Sequence, residues 1–151
     1  MNSARQFRRP ESVLILVYTR SKDTLLLQRR KPQALWQSIT GSLEPGETHA
    51  DAAARELAEE TGFTVDERLI FTGRQREFEI DPRWHRNFAP GITHNTEYEW
   101  RFLIDSATDI RLDRREHLAY RWMPIAEAIE TVWSWTNKAA LRRLLDELGG
   151  S

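Results

Sequence analysis

The chain has no cysteine among its 151 residues, which excludes disulfides, thiolate catalysis and thiolate metal sites. Carboxylate, imidazole and hydroxyl groups are left for any chemistry. A long apolar run is also missing: the longest strongly apolar stretch, residues 13–18 (VLILVY), is far too short to cross a bilayer. Arg5, Arg8 and Arg9 precede it, but so short a stretch is a poor signal-peptide core and no small-residue cleavage site follows. A cytoplasmic protein with no membrane partner is therefore expected. Excess charge of one sign is absent too. A formal net charge of −1 creates no broad positive field of the kind that draws a polyanion, so no nucleic-acid partner is expected. No internal repeat, low-complexity tract or linker divides residues 1–151, and the chain reads as a single domain large enough to close one core unaided.

What is present in excess is local. Between residues 44 and 60 stand six acids (Glu44, Glu47, Asp51, Glu56, Glu59, Glu60) against one base, Arg55. Around them, residues 12–18 (SVLILVY) and 24–28 (TLLLQ) have strand composition and read as a hairpin, and residues 36–40 form a short strand. Gly41, Pro45 and Gly46 then turn the backbone. Thr48 is placed to cap a helix over residues 49–61, with Asp51 near its positive end and Gly62 at its C-terminal left-handed position. Residues 69–74, 77–80, 97–104 and 119–123 are strand-like, whereas 81–95 (DPRWHRNFAPGITHN) reads as an irregular loop long enough to cover a site. Pro124 opens a short helix to about Thr131. Thr136 caps a last helix carrying Leu141, Leu144, Leu145 and Leu148 at helical spacing, ended by Gly149 and Gly150.

On a helix advancing 100° per residue, Glu56, Glu59 and Glu60 stand at i, i+3 and i+4 on one face. Their like charges repel, by a few tenths of a kcal/mol per exposed pair and by more where water is excluded. An arbitrary pattern of this kind is most often a solvated face. Here Ala52, Ala53, Ala54, Leu57 and Ala58 give the helix an apolar packing surface, and Arg55 can counter a carboxylate from the side. A neutralising cation then accounts for the cluster, and carboxylate oxygens suit a hard ion such as Mg²⁺ completed by waters and substrate phosphates.

Residues 41–63 (GSLEPGETHADAAARELAEETGF) resemble the Nudix box at every fixed position; Ser42, where many relatives carry glycine, is a small departure. The order of elements is similar to the Nudix fold, an α+β arrangement (an α/β/α sandwich) with a mixed β-sheet between helices. The resemblance implies a Mg²⁺-dependent pyrophosphohydrolase, with Mn²⁺ able to substitute, in which water attacks a phosphorus of a pyrophosphate bridge without a protein nucleophile. It implies that Glu56 and Glu60 are metal ligands. Glu59 is either a further ligand or the base taking a proton from water, and Arg55 is an orienting ion pair with an upstream acid such as Glu47. The tracts LWQSITG (35–41), FAPGITHNTE (88–97), EHLAYRW (116–122) and WSWTN (133–137) further resemble bacterial dihydroneopterin triphosphate pyrophosphatases, folate-pathway members of the family. That likeness implies release of pyrophosphate from the pterin triphosphate. It makes Glu116 a metal ligand from outside the box, and Arg8, Arg29, Thr40, Phe78, Glu79, Ile80, Asp81 and Ser134 the lining of the substrate pocket.

Plainer roles stand beside these. Arg8 and Arg29 equally suit the surface, and Thr40 a strand end, although guanidinium forks fit a triphosphate. Trp36, Trp122, Trp133 and Trp135 read first as core or helix-packing residues, while a flat pterin favours an aromatic wall such as Phe78 or a nearby tryptophan. His117 and His94 read as hydrogen-bonded structural groups rather than ligands. The rival specificities are nucleoside triphosphates and dinucleoside polyphosphates, and a rival from another class is a non-catalytic nucleotide-binding module, which ordinarily has a degraded box. The expected partner is a small molecule, met by a monomer or weak homo-oligomer.

Overall fold

The computed structural model describes residues 7–31 and 33–149; Arg5 of the basic leader and Gly150 of the last helix end lie outside them. The strands are β1 (Glu11–Thr19), β2 (Asp23–Arg29), β3 (Trp36–Gln37), β4 (Ile39–Ser42), β5 (Leu69–Glu79), β6 (His94–Ile104) and β7 (His117–Pro124), and the α-helices are α1 (His49–Thr61), α2 (Ile125–Thr131) and α3 (Trp135–Glu147). The path β3-β2-β1-β6-β5 forms the sheet, with β4 on β1 and β7 on β2. The sheet is mixed: β1 runs parallel to β6 and antiparallel to β2 and β4.

β1 is central and nearly continuously buried, as a strand covered on both faces must be. Its alternation sorts the core into two layers. Val13, Ile15 and Val17 join Leu25, Leu27, Trp100 and Phe102 against Ala52, Ala53 and Leu57 of α1. Leu14 and Leu16 join Leu26 against Ile125, Ile129, Leu141 and Leu144 of α2 and α3. Each of the valine, leucine, isoleucine and phenylalanine side chains contributes about 1.5–3 kcal/mol on burial. The expected α/β/α sandwich follows. No described helix is long and apolar enough to cross a membrane.

Several local expectations change. The hairpin of β1 and β2 is paired only at Tyr18 with Thr24; beyond it the strands part, and β4 takes the edge of β1 from Ser12 to Ile15. The two strands expected over 69–80 are one, β5, with a register irregularity between Phe71 and Gln75. The expected loop at 81–95 holds a 3-10 helix, Pro82–Asn87, whose Asp81 side chain accepts from the Arg83 N–H, and its last residues begin β6. Asp before Pro is a helix-start signal. Pro124 caps α2 from outside it. Ser134, not Thr136, caps α3: its hydroxyl accepts from Asn137 N–H at 3.2 Å, while Thr136 is buried in the first turn. Trp135, expected to pack, is 58% exposed.

Candidate active site

The carboxylate helix has the expected bounds, 49–61. Thr48 and Asp51 exchange side-chain to backbone hydrogen bonds of 3.1 Å in a capping box, and Gly62 closes the helix in the left-handed region. Reciprocal satisfaction of two orphan N–H groups fixes where the helix begins, and hence which residues face the sheet. The three glutamates are not equivalent. The side chains of Glu56 and Glu60 are 12% and 6% exposed, while Glu59 is 51% exposed.

Glu56 lies directly against the Cα of Gly41 on β4: a Cβ there would overlap the Glu56 carboxyl, with even its Cγ only 2.6 Å away. Gly41 is thus required for close approach rather than for the turn expected of it; the turn belongs to Gly46, at φ +77°. Arg55 supports this arrangement from the side. Its Nε and Nη2 donate to the two Glu47 oxygens at 2.7 and 2.9 Å, Nη2 also to the Ser42 carbonyl at 3.1 Å, and Nη1 reaches Glu56 at 3.3 Å. The Arg55 fork holds the Glu47 carboxyl below the usual range and is itself raised by Glu47. The helix is thereby tied to the loop that precedes it.

Burial pushes the Glu56 carboxyl up to about 7 against the counteracting Arg55, with Glu59 and Glu116 adding repulsion. Glu60 is pushed up to about 8, again by burial first and then by Glu56, Asp113 and Glu116. Beside it, burial and the Arg29 charge draw His117 down to about 4. His117 Nδ1 lies 3.1 Å from Glu60 Oε2, yet it has no hydrogen bond of acceptable angle. Among the described residues no three His, Asp or Glu side chains converge as a preformed cage. Mg²⁺ typically takes one or two carboxylates and completes its shell with water and phosphate. The residues fit such an ion: the donors are all oxygens, two are buried without sufficient countercharge, and Gly41 leaves one of them its place.

Glu116 is exposed at the start of β7 and its charge reaches both buried glutamates. Arg29 ends β2 at a register shift, donates to Gln37 at 3.1 Å, and feels the charges of Arg8, Glu116 and Glu60. Gln37 in turn donates to Thr40 at 3.1 Å. Arg8 is exposed and anchored by its N–H to the Asn87 carbonyl at 2.8 Å. Arg29 and Glu116 are thus linked to the glutamate cluster by charge, whereas Arg8 is connected by charge to Arg29 and Thr40 by its hydrogen bond to Gln37. The 78–81 segment is divided: Phe78 is half-buried, Glu79 exposed, Ile80 buried in the core, and Asp81 engaged with Arg83 at 2.8–2.9 Å. Ser134 spends its hydroxyl on the α3 cap.

A NUDIX domain model matches residues 8–148. The chain belongs to the Nudix family. It is 39% identical over 143 residues to the dihydroneopterin triphosphate diphosphatase of Escherichia coli K12, covering 92% of this chain and 94% of that one. It is 36% identical over 149 residues to the Haemophilus influenzae protein of the same name, covering 95% and 92%. The solved E. coli dihydroneopterin triphosphate pyrophosphohydrolase superposes with a TM-score of 0.86 at 36% identity, over 95% of this chain and 99% of that one.

Sequence reasoning had not singled out Gln37, Asp113 or Trp84, and it set His117 apart from the glutamates. No periodicity signals a residue that meets the helix only through a neighbouring strand; for Trp84 the aromatic, Pro-started segment was the available sign.

Proposed function

We propose that the protein is a divalent-metal-dependent pyrophosphohydrolase that converts dihydroneopterin triphosphate to dihydroneopterin monophosphate and pyrophosphate. The observation that carries the chemistry is the pair Glu56 and Glu60, buried side by side with a single arginine at one edge. The substrate class rests on the likeness, over nearly the whole chain, to relatives of that name. Glu56, Glu60 and Glu116 would hold Mg²⁺, for which Mn²⁺ substitutes. When bound, the ion neutralises phosphate charge and acidifies a water for attack. Glu59, the box acid half open to solvent and 3.5 Å from the Arg55 guanidinium, would serve as the base for the attacking water. Arg55 keeps Glu56 in place by its hold on Glu47 and Ser42. Arg29 and Arg8 receive the polyphosphate as forked donors, with Thr40 positioned through Gln37, and Phe78 to Asp81 and Ser134 bounding the pocket beyond them.

The test is a comparison of kcat/KM for dihydroneopterin triphosphate, GTP, ATP and a dinucleoside polyphosphate with Mg²⁺, scoring pyrophosphate against phosphate release. Preference for the pterin with pyrophosphate as product is expected. Preference for a nucleotide ends the pterin assignment and leaves the metal chemistry standing.

A further inference from the structure

Two tryptophans outside the carboxylate cluster share one place. Trp84, on the 3-10 helix Pro82–Asn87, stacks on Trp133 with ring centroids 5.0 Å apart and planes at 28°. Trp133, in the turn between α2 and α3, is pinned to β3: its backbone N–H donates to the Trp36 carbonyl at 3.2 Å and its indole to Gln37 Oε1 at 3.4 Å. Trp84 is held lightly. Its helix buries no residue and is tied down by Arg83 to Gln33 at 2.8 Å, His85 to the Ile80 carbonyl at 2.8 Å, and the Arg8 N–H to Asn87. Both indoles are only half-buried. The Arg29 guanidinium lies 5.0 Å from the Trp84 ring, and Arg83 lies 5.0 and 5.4 Å from the two rings. A guanidinium at this range is attracted to the indole face by the ring quadrupole.

We propose that Trp84 and Trp133 form the binding site for the flat heterocycle of the substrate, with Arg29 standing between that platform and the metal-binding glutamates. Arg29 touches both ends: it contacts Trp84 and, through Gln37, Trp133, and it feels the charges of Glu60 and Glu116. A ring stacked on the indoles therefore sends its phosphates past Arg29 toward Glu56 and Glu60. The fixed indole sets the plane, and the lightly held one adjusts to the ring. This deepens the function proposed above and rests on it for the pterin, but any heterocyclic triphosphate presents the same π face.

The experiment measures KM and kcat for dihydroneopterin triphosphate with Trp84→Ala, Trp133→Ala, Trp84→Phe and Trp133→Phe, together with inhibition by phosphate-free dihydroneopterin and by inorganic pyrophosphate. Removal of a stacking surface costs roughly 10- to 100-fold in affinity. The alanine variants should raise KM by about that factor, with kcat changed by less, and should lose inhibition by dihydroneopterin while keeping that by pyrophosphate; the phenylalanine variants should recover most of the loss. An unchanged KM in both alanine variants, or equal weakening of pyrophosphate and dihydroneopterin, overturns the platform. If the unaltered enzyme leaves the pterin triphosphate intact, the proposed substrate fails instead, and the same variants are judged by the same criteria on the nucleotide it does hydrolyse.

Discussion

Gly41→Ala isolates the geometry of Glu56 from its chemistry, because the substitution leaves every carboxylate in place. The added Cβ would fall on the Glu56 carboxyl and only 2.6 Å from its Cγ, whereas carbon atoms rest at about 3.5–4.0 Å. The carboxyl atoms lie nearer than the Cγ, so one of the two must move by more than about 1 Å. The backbone of β4 is held in its ladder with β1, Val13 opposite Gly41, so the Glu56 side chain yields. Driving a side chain off its rotamer costs about 0.5–1.5 kcal/mol, which for a chain of this size lowers Tm by roughly 1–6 °C. The same 1 Å at a catalytic ligand costs on the order of 100-fold in rate. The expected signature is a folded protein with slightly lowered Tm, a large loss of kcat/KM, and a raised Mg²⁺ requirement. Thermal melts and an Mg²⁺ titration of activity measure both parts. A Gly41→Ala enzyme with undiminished kcat/KM and the original Mg²⁺ dependence would refute the claim that the close approach of Glu56 to β4 sets the site.

Glu59→Gln and Glu60→Gln should each lower turnover by orders of magnitude without unfolding the chain, since charge is removed at constant size; near-normal activity in both would remove these residues from the mechanism. The pH response of stability should depend on metal. Glu56 and Glu60 are raised to about 7 and 8, so the folded state retains protons that the unfolded chain has released, and metal-free stability falls as pH rises toward 8. His117, lowered to about 4, acts in the opposite sense and only as pH falls below its ordinary value. Glu97, raised to about 7 by burial against the counteracting Thr136 hydroxyl and Arg76 charge, has the same sign as Glu56 but lies apart from the metal-binding glutamates. Mg²⁺ favours the ionised glutamates and should raise Tm more at pH 8 than at pH 6; equal shifts at both would count against metal binding at Glu56 and Glu60.

The carboxylate helix was legible because its signals are local. Thr48, Asp51 and Gly62 specify both ends within one turn of each, and the bounds 49–61 follow from them. The apolar run of β1 was legible as a strand, but not its partners: β1 leaves β2 after one paired position because β4 competes for that edge, a choice made in three dimensions. Helical periodicity placed three glutamates on one face, yet the roll of α1 against the sheet buries Glu56 and Glu60 and leaves Glu59 in water. In WSWTN two hydroxyls two residues apart compete for the α3 cap, and sequence does not choose between them; Ser134 takes it, and Thr136 goes to the core. Gly41 was read as a turn residue because its true constraint, the carboxyl of Glu56, comes from fifteen positions further on.

A second buried carboxylate in the same fold shows what neutralisation by protein alone looks like. Glu99, 1% exposed on the α3 face of β6, meets Arg76 at 2.6 Å and lies 3.6 Å from both Arg74 and Arg101. Three guanidinium groups converge there, and removing any partner of so buried a charge is costly. Across the sheet, Arg55 reaches Glu56 but not Glu60, and it is divided among Glu47, Glu59 and the Ser42 carbonyl as well. Glu60 faces an uncharged imidazole. Arginines thus converge on Glu99, whereas Glu56 and Glu60 stand side by side with little direct countercharge. Without an external cation that second arrangement is a net cost to stability, held as protonated acids that ionise reluctantly. Dications carried by a polyphosphate would remove that cost on binding, and the reluctance of these glutamates to ionise alone would then favour a charged, metal-bearing substrate.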